Sequence, residues 1–444
     1  MIKFIKSLYF PTRFFLILLG FVFIFVVSQF VTPLFVLLKF AFGGFLLLFL
    51  FDVILLYKNK NGIIAEQLLP EKFSNGDNNP VHISFNNLYA FPLKINAIDE
   101  IPHQFQIRDF HFSVKLKSGE EKDYVYNIRP TKRGVYQFGN LNVYAETFLG
   151  LMCRKYVFSE GKDIAVYPSF LQLHKYDFLA IHSHLTDYGV KKIRRLGQTM
   201  EFEQIKDYVS GDDIRNINWK ATAKRGKLMV NQYQDERAQH IFCVIDKGRV
   251  MKMPFNELSL LDYSVNSALV MSNVALQKND KAGLFTFSRK VENRVLPKRS
   301  NAQMQTILET LYKIETDFAE SDFERLYADI RRNIAQRSLL LLFTNFENIN
   351  SMQRQLPYLK AVAKNHLLVV IIFKNVELHK LIYGKAVSTR EIYHKVIAEK
   401  FNFDKKLIVN ELNRYGIQTI LTEPENLTIN TINKYLELKA KGAV

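Results

Sequence analysis

Cysteine is nearly missing from this chain: 444 residues hold two, Cys153 and Cys243, far apart. There is no CxxC pair and no His/Cys cluster with zinc spacing. A disulfide framework is excluded, and the usage suits a reducing compartment. His103 and His111 stand alone, with no metal-type cluster around them. Tryptophan occurs once, as Trp219. No G-x-G-x-x-G or Walker loop follows the first strand of the C-terminal half, so the usual nucleotide-binding signatures are lacking. Acidic residues are outnumbered: 43 Asp+Glu against 60 Lys+Arg give a formal charge of +17. That excess suits an anionic partner, such as lipid headgroups, nucleic acid or an acidic protein. Hydrophobic content of 48% with 23% charged residues is globular rather than disordered.

What is present begins with apolar length. "FFLILLGFVFIFVVSQFVT" (Phe14–Thr32) carries no charge, and Leu34–Tyr57 is nearly as apolar. About 20 such residues cross a bilayer core. The runs, joined near Ser28–Pro33, predict a two-span hairpin over residues 1–61. Lys39 and Asp52, inside the second run, are expected to reach an interface by snorkelling. Lys3, Lys6 and Arg13 precede the hairpin, Lys58 and Lys60 follow it, and the connection has no Lys or Arg. The positive-inside rule then places both ends, and the soluble domains, on the cytoplasmic side of the inner membrane.

Beyond "SNGDNNP", alternating stretches such as "VHISFNN", "LKINAID", "FHFSVKLK" and "GVYQFGNLNVYA" predict a β-sandwich over 62–176. A junction segment, 177–239, follows. From 240 to 444 strand and helix patterns alternate: "HIFCVID", a helix in "LLDYSVNSALVMSNVAL", then "AGLFTFS", "SLLLLFT", "HLLVVIIF" and "IQTILT" with helices between. Two separate helices are expected at about 390–401 and 405–414. The pattern predicts a multidomain chain ending in a doubly wound α/β domain, mostly parallel, with helices on both faces. Ligands of such sheets sit at the carboxyl ends of the strands, which directs attention to Asp246 and to Thr344-Asn345.

"EFEQIKDYVSGDDIRNINWKATAKRGKLMV" (Glu201–Val230) resembles the signature of the bacterial domain-of-unknown-function-58 family. Glu201-Phe202, Tyr208, Gly211-Asp212-Asp213, Arg215, Ile217, Trp219-Lys220 and Ala223 follow the pattern. Asn218 stands where the family usually has Asp, and Lys224 where it has Arg. The resemblance implies a membrane hairpin, a β module and a von Willebrand factor type A-like domain. It also implies a chaperone-like or assembly role beside a MoxR-type AAA+ ATPase, and other von Willebrand type A membrane proteins as further partners.

Domains of that kind often hold Mg²⁺ through D-x-S-x-S, a distant Thr and an Asp. The matching positions here are Asp246, Gly248, Val250, Thr316 and Asn345. Gly248 and Val250 offer no side-chain oxygen and Asn345 is neutral, so a degenerate site without metal or other cofactor is expected. Lys247 or Arg249 is expected to take the cation's place beside Asp246. Gly211, Asp212, Asp213, Arg215, Trp219, Lys220 and Ala223 form either a partner-docking surface or a staple that buries the indole against the α/β domain. Two other functions stay open: a hydrolase or phosphate-handling enzyme using Asp212/Asp213 or Asp246, and a surface binder of anionic lipid or nucleic acid. The latter would use Lys191–Arg195 and Lys224-Arg225-Gly226-Lys227. No aromatic-interleaved module favours nucleic acid, and none is expected as partner.

Overall fold

The computed structural model describes residues 2–28, 32–108, 110–158, 161–171, 173, 201–210, 212, 214–234, 238–316, 318–384 and 388–443. It divides into two compact units, Met1–Tyr167 and Pro168–Val444. Part of the expected junction, 177–200, lies outside the described residues, as do Lys191–Arg195.

The first unit opens with a short helix, α1 (Ile2–Ser7), and a strand, β1 (Leu8–Tyr9). Helices α2 (Thr12–Ser28) and α3 (Thr32–Lys58) follow. They pack through a ladder of rings: Phe14 on Phe45 and Phe49, Phe21 on Phe42 and Phe45, Phe25 on Phe35 and Phe42. Those pairings run in opposite sequence order, so the two helices are antiparallel. Leu34–Lys58 is long and apolar enough to cross a membrane by length and composition; Thr12–Ser28 is shorter. Outward residues such as Phe23 and Phe40 are largely exposed.

Asp52 does not snorkel. It is fully buried, accepting hydrogen bonds from Thr147 Oγ1 and from the amides of Leu151 and Met152, both at 3.1 Å. The loop between two strands of the β module folds over the helix and supplies all three donors. Arg154 reinforces the joint by donating to the carbonyls of Leu56 (2.6 Å), Asn59 (2.7 Å) and Lys60 (2.8 Å) at the helix end. These donors cover carbonyls that a helix C-terminus leaves without partners.

The β module is built from three sheets, in orders β1-β10-β9-β5-β6, β2-β4-β7 and β3-β11-β8. The first strands are β2 (Ile63–Leu68), β3 (Lys72–Ser74), β4 (Asn79–Asn87), β5 (Leu93–Asp99), β6 (His111–Leu116) and β7 (Glu121–Ile128). Next come β8 (Gly134–Phe138), β9 (Leu141–Glu146), β10 (Cys153–Phe158) and β11 (Lys162–Tyr167). Every second residue turns inward, as in Leu93, Ile95 and Ala97, and all three sheets share one core that includes Phe73, Phe85, Val143 and Ile164. "GVYQFGNLNVYA" splits into β8 and β9, which join different sheets. The break at Gly139-Asn140 is held by Glu100, whose carboxylate accepts from the Asn140 amide at 2.9 Å. A Cβ at Gly139 would meet that carboxylate at 2.4 Å.

The second unit carries a sheet in the order β18-β17-β14-β19-β20-β21. Its strands are β14 (His240–Asp246), β17 (Lys281–Phe287), β18 (Val291–Lys298), β19 (Leu339–Phe343), β20 (Leu367–Phe373) and β21 (Gln418–Thr422); between β14 and β17 the short strands β15 (Pro254–Phe255) and β16 (Leu258–Ser259) pair only with each other. All neighbours in the larger sheet are parallel except β17 and β18. Numbered along the chain this is the doubly wound order 3-2-1-4-5-6, whose strand order reverses between β14 and β19. Apolar residues pack both faces: Leu269, Leu341 and Tyr435 belong to one core, Phe242, Leu342 and Leu412 to the other.

Continuing the helix numbering, α4 is Trp219–Arg225, α5 Leu260–Gln277, α6 Asn301–Tyr312, α7 Phe323–Asn333 and α8 Ile349–Asn365. Then come α9 (Glu377–Tyr383), α10 (Thr389–Arg414) and α11 (Leu427–Ala440). The two helices expected at 390–401 and 405–414 are one continuous helix. Its N-terminus is fixed by a capping box between Ser388 and Glu391.

Candidate functional site

Two places in the second unit gather the residues singled out by the sequence: the carboxyl ends of β14 and β19, and the signature segment.

Asp246 ends β14 and is buried. Its Oδ1 accepts from the Gly248 amide at 2.8 Å and from Ser321 Oγ, and its Oδ2 accepts from Thr344 Oγ1 at 2.6 Å. Gly248 has a steric reason. A Cβ there would lie 2.1 Å from Ser321 Oγ, so the room a side chain would take is filled by a hydroxyl from another loop. Val250 offers no oxygen and packs against the core. Thr316 is not part of this set: its Oγ1 accepts from the Phe318 amide at 3.4 Å, and Ser321 and Thr344 supply the hydroxyls instead.

The expected Lys247–Asp246 pair is not formed. Lys247 turns to Glu292 Oε2 (2.7 Å) and the Glu315 carbonyl (3.4 Å). Arg249 lines a small cavity beside Asp246, together with Glu320, Glu347 and Arg354. A cation does reach the site, at the other position and from a distant helix. Lys405 of α10 donates to Asn345 Oδ1 and to the Phe346 carbonyl (2.6 Å), just beyond β19. Burial lowers its pKa to about 8, partly opposed by the charge of Glu347.

One carboxylate and two hydroxyls bring a single negative charge to the Asp246 set, and an ammonium already holds Asn345. Mg²⁺ asks for near-octahedral oxygen ligands, often more than one of them charged. The residues present do not fit that demand. Among the described residues no group of three or more His, Cys, Asp or Glu could hold a metal ion.

The signature segment is a two-stranded hairpin, β12 (Glu201–Asp207) with β13 (Met229–Gln234), enclosing the short helix α4. Asn218 caps α4, accepting from the Ala221 amide at 2.9 Å, while its Nδ2 donates to Asn231 Oδ1 at 2.8 Å. A carboxylate could make only the first bond, which explains why an amide works here. Gly226 ends the helix with φ +66°, and Met229 and Val230 anchor the hairpin as buried residues.

Trp219, first residue of α4, is not a buried staple: 68% of its surface is exposed. Ile205, Val209, Ile214 and Leu228 of the same hairpin module are exposed as well. Asp212 pairs with Lys206 at 2.9 Å and accepts from the Val209 amide at 3.0 Å; the lysine first, then the amide, hold its pKa down. Arg215, Lys220 and Ala223 are exposed, and Gly211 and Asp213 lie outside the described residues. The module therefore exposes one indole and four aliphatic side chains, with the cations of Arg215 and Lys220 also exposed. Sequence patterns alone pointed to Trp219 but carried no sign of Ser321 or Lys405.

Taken together, the fold and sites define a multidomain chain with apolar helices near its N-terminus, a β module and an α/β unit. The family model "Protein of unknown function DUF58" matches residues 204–381, so the chain carries a domain of that family. "Uncharacterized protein YeaD" of Bacillus subtilis (strain 168) is 24% identical over 221 residues, 46% of this chain and 55% of the relative. The chain thus spans about half the length of that curated relative. Among solved structures, "conserved hypothetical protein BatB" from Bacteroides thetaiotaomicron has 13% identity and a TM-score of 0.29, covering 46% of this chain and 99% of that one. The CARDB domain of the PF1109 protein from Pyrococcus furiosus has 16% identity and a TM-score of 0.17, covering 23% and 91%.

Proposed function

We propose that the chain is a membrane-anchored, non-enzymatic interaction factor that engages a MoxR-type AAA+ ATPase through the surface around Trp219. The observation that carries this reading is the exposure of Trp219, Ile214, Val209 and Leu228 on one small module. Exposed apolar clusters rimmed by charge are where proteins meet, and Trp is enriched among the anchors of such contacts. The ATPase as partner rests on the family resemblance of Glu201–Val230.

The chemistry of the carboxylates supports a non-catalytic role. Asp212 is neutralised by Lys206, and Asp246 is saturated by two hydroxyls and an amide. Neither is left as a general base. The apolar helices, with Lys6, Arg13, Lys58 and Lys60 at their flanks, support a hairpin with both ends cytoplasmic.

The test is co-purification of the full chain from solubilised membranes with the purified ATPase. Wild type should retain it. Trp219→Ala should weaken retention by about thirtyfold, the scale of a hot-spot residue worth about 2 kcal/mol. Equal retention by both proteins, or none by wild type, overturns the proposal.

A further inference from the structure

A cavity of ≈460 Å³ opens at the carboxyl ends of β19 and β20. Small-ligand sites fall in the range of about 300–1,000 Å³ and favour the carboxyl edge of open α/β sheets. Its wall is mostly apolar at the base, where Phe255, Leu260 and Phe373 are buried; Met253 and Phe401 are partly exposed, and Glu347 and Lys374 also line it. Lys405 also lines it. Phe401 and Lys405 are four residues apart on α10, hence on one face, because that helix runs unbroken through 402–404.

The ammonium of Lys405 has three protons. It donates to two neutral acceptors, Asn345 Oδ1 and the Phe346 carbonyl. Among the described residues no carboxylate forms an ion pair with it. Glu347, on the exposed part of the same wall, acts on it through charge without a direct contact, and Lys374, also on the wall, pairs with Glu423 at 3.7 Å. A cation withdrawn from water without an anionic partner is costly, and that cost falls when an anion arrives. A chamber with an apolar base and one cation that no carboxylate contacts is matched to a molecule with a carboxylate head and an apolar body.

We propose that this cavity is a binding site for a small apolar carboxylate, its head on Lys405 Nζ and its body against Phe255, Leu260, Phe373 and Phe401. The site is separate from the Trp219 surface and does not depend on any ATPase partner.

The experiment is a calorimetric titration of the full chain in nanodiscs, with empty nanodiscs as blank. The probes are 3-phenylpropionate and its neutral counterpart 3-phenylpropanol. The acid should bind saturably and at least tenfold more tightly than the alcohol. Lys405→Met should abolish that difference, while Lys374→Met should keep it. If Lys405→Met does not fold, Asn402→Asp replaces it. That substitution adds a negative charge to the cavity wall and should weaken the acid tenfold while sparing the alcohol. A series of straight-chain carboxylates separates the two sources of such a ligand. Affinity that peaks at short chains marks a soluble acid, and affinity that climbs to long chains marks a lipid-derived one. Absence of saturable binding, equal affinity for acid and alcohol, or an acid preference that survives the charge substitution overturns the proposal.

Discussion

Gly248 shows how one missing side chain reshapes a site. With no Cβ, the Ser321 hydroxyl closes onto Asp246. Gly248→Ala should push Ser321 away and crowd the Ala319 carbonyl, 2.9 Å from the new atom. Overpacking of this kind costs about 1–3 kcal/mol, measurable as a lower denaturation midpoint of the full chain in detergent. Asn218 offers a finer test. Asn218→Ala removes the cap of α4 and should cost about 1 kcal/mol. Asn218→Asp keeps the cap, loses only the bond to Asn231, and should cost less. Amide exchange within Trp219–Arg225 reports both. The Asp246 cluster was half legible in the sequence. Asp246 and Thr344-Asn345 could be read as strand ends and Gly248 from the resemblance, but Ser321 reaches Asp246 across 75 positions and Lys405 reaches Asn345 across 60. Nothing in local spacing encodes such long-range partners.

At the scale of elements, α3 and α10 each carry a charged residue at a joint. Asp52 of α3 holds the Leu151 and Met152 amides. Asp52→Ala leaves those buried donors without an acceptor, a loss of about 1–3 kcal/mol. Hydrogen exchange at these two amides should accelerate while that of β5 stays slow. Lys405 of α10 gives a pH signature. In the unfolded chain it keeps its proton to about 10.5, in the fold only to about 8. Between those values unfolding takes up a proton, so its contribution makes stability rise with pH, and below about 8 that contribution is flat. Denaturant titrations of wild type and Lys405→Met across this interval should show a slope that the variant loses.

The same elements explain what patterning could read. Alternation made β4, β5 and β6 plain, and unbroken apolar runs marked β14, β19 and β20. The split of β8 from β9 depended on Glu100, a residue far along the chain. The break expected in α10 fell at 402–404, where the helix runs on and packs Ile408 and Leu412 into the core. Asp52 looked like a residue bound for the interface because its partners, Thr147 to Met152, lie about a hundred positions away.

Across the whole chain, a net charge of +17 goes with apolar N-terminal helices and an α/β unit that exposes Trp219. Docking through Trp219, as proposed above, would cover this indole when the partner binds. Because Trp219 is the sole tryptophan, 5-fluorotryptophan incorporated into the full chain gives one fluorine signal from the surface itself. Without partner, that signal should show the solvent-isotope shift of an exposed indole. On titration with the MoxR-type ATPase it should move and lose that shift, saturating with complex formation. A signal that is solvent-protected from the start, or that stays unchanged while the ATPase binds elsewhere, would contradict docking through Trp219.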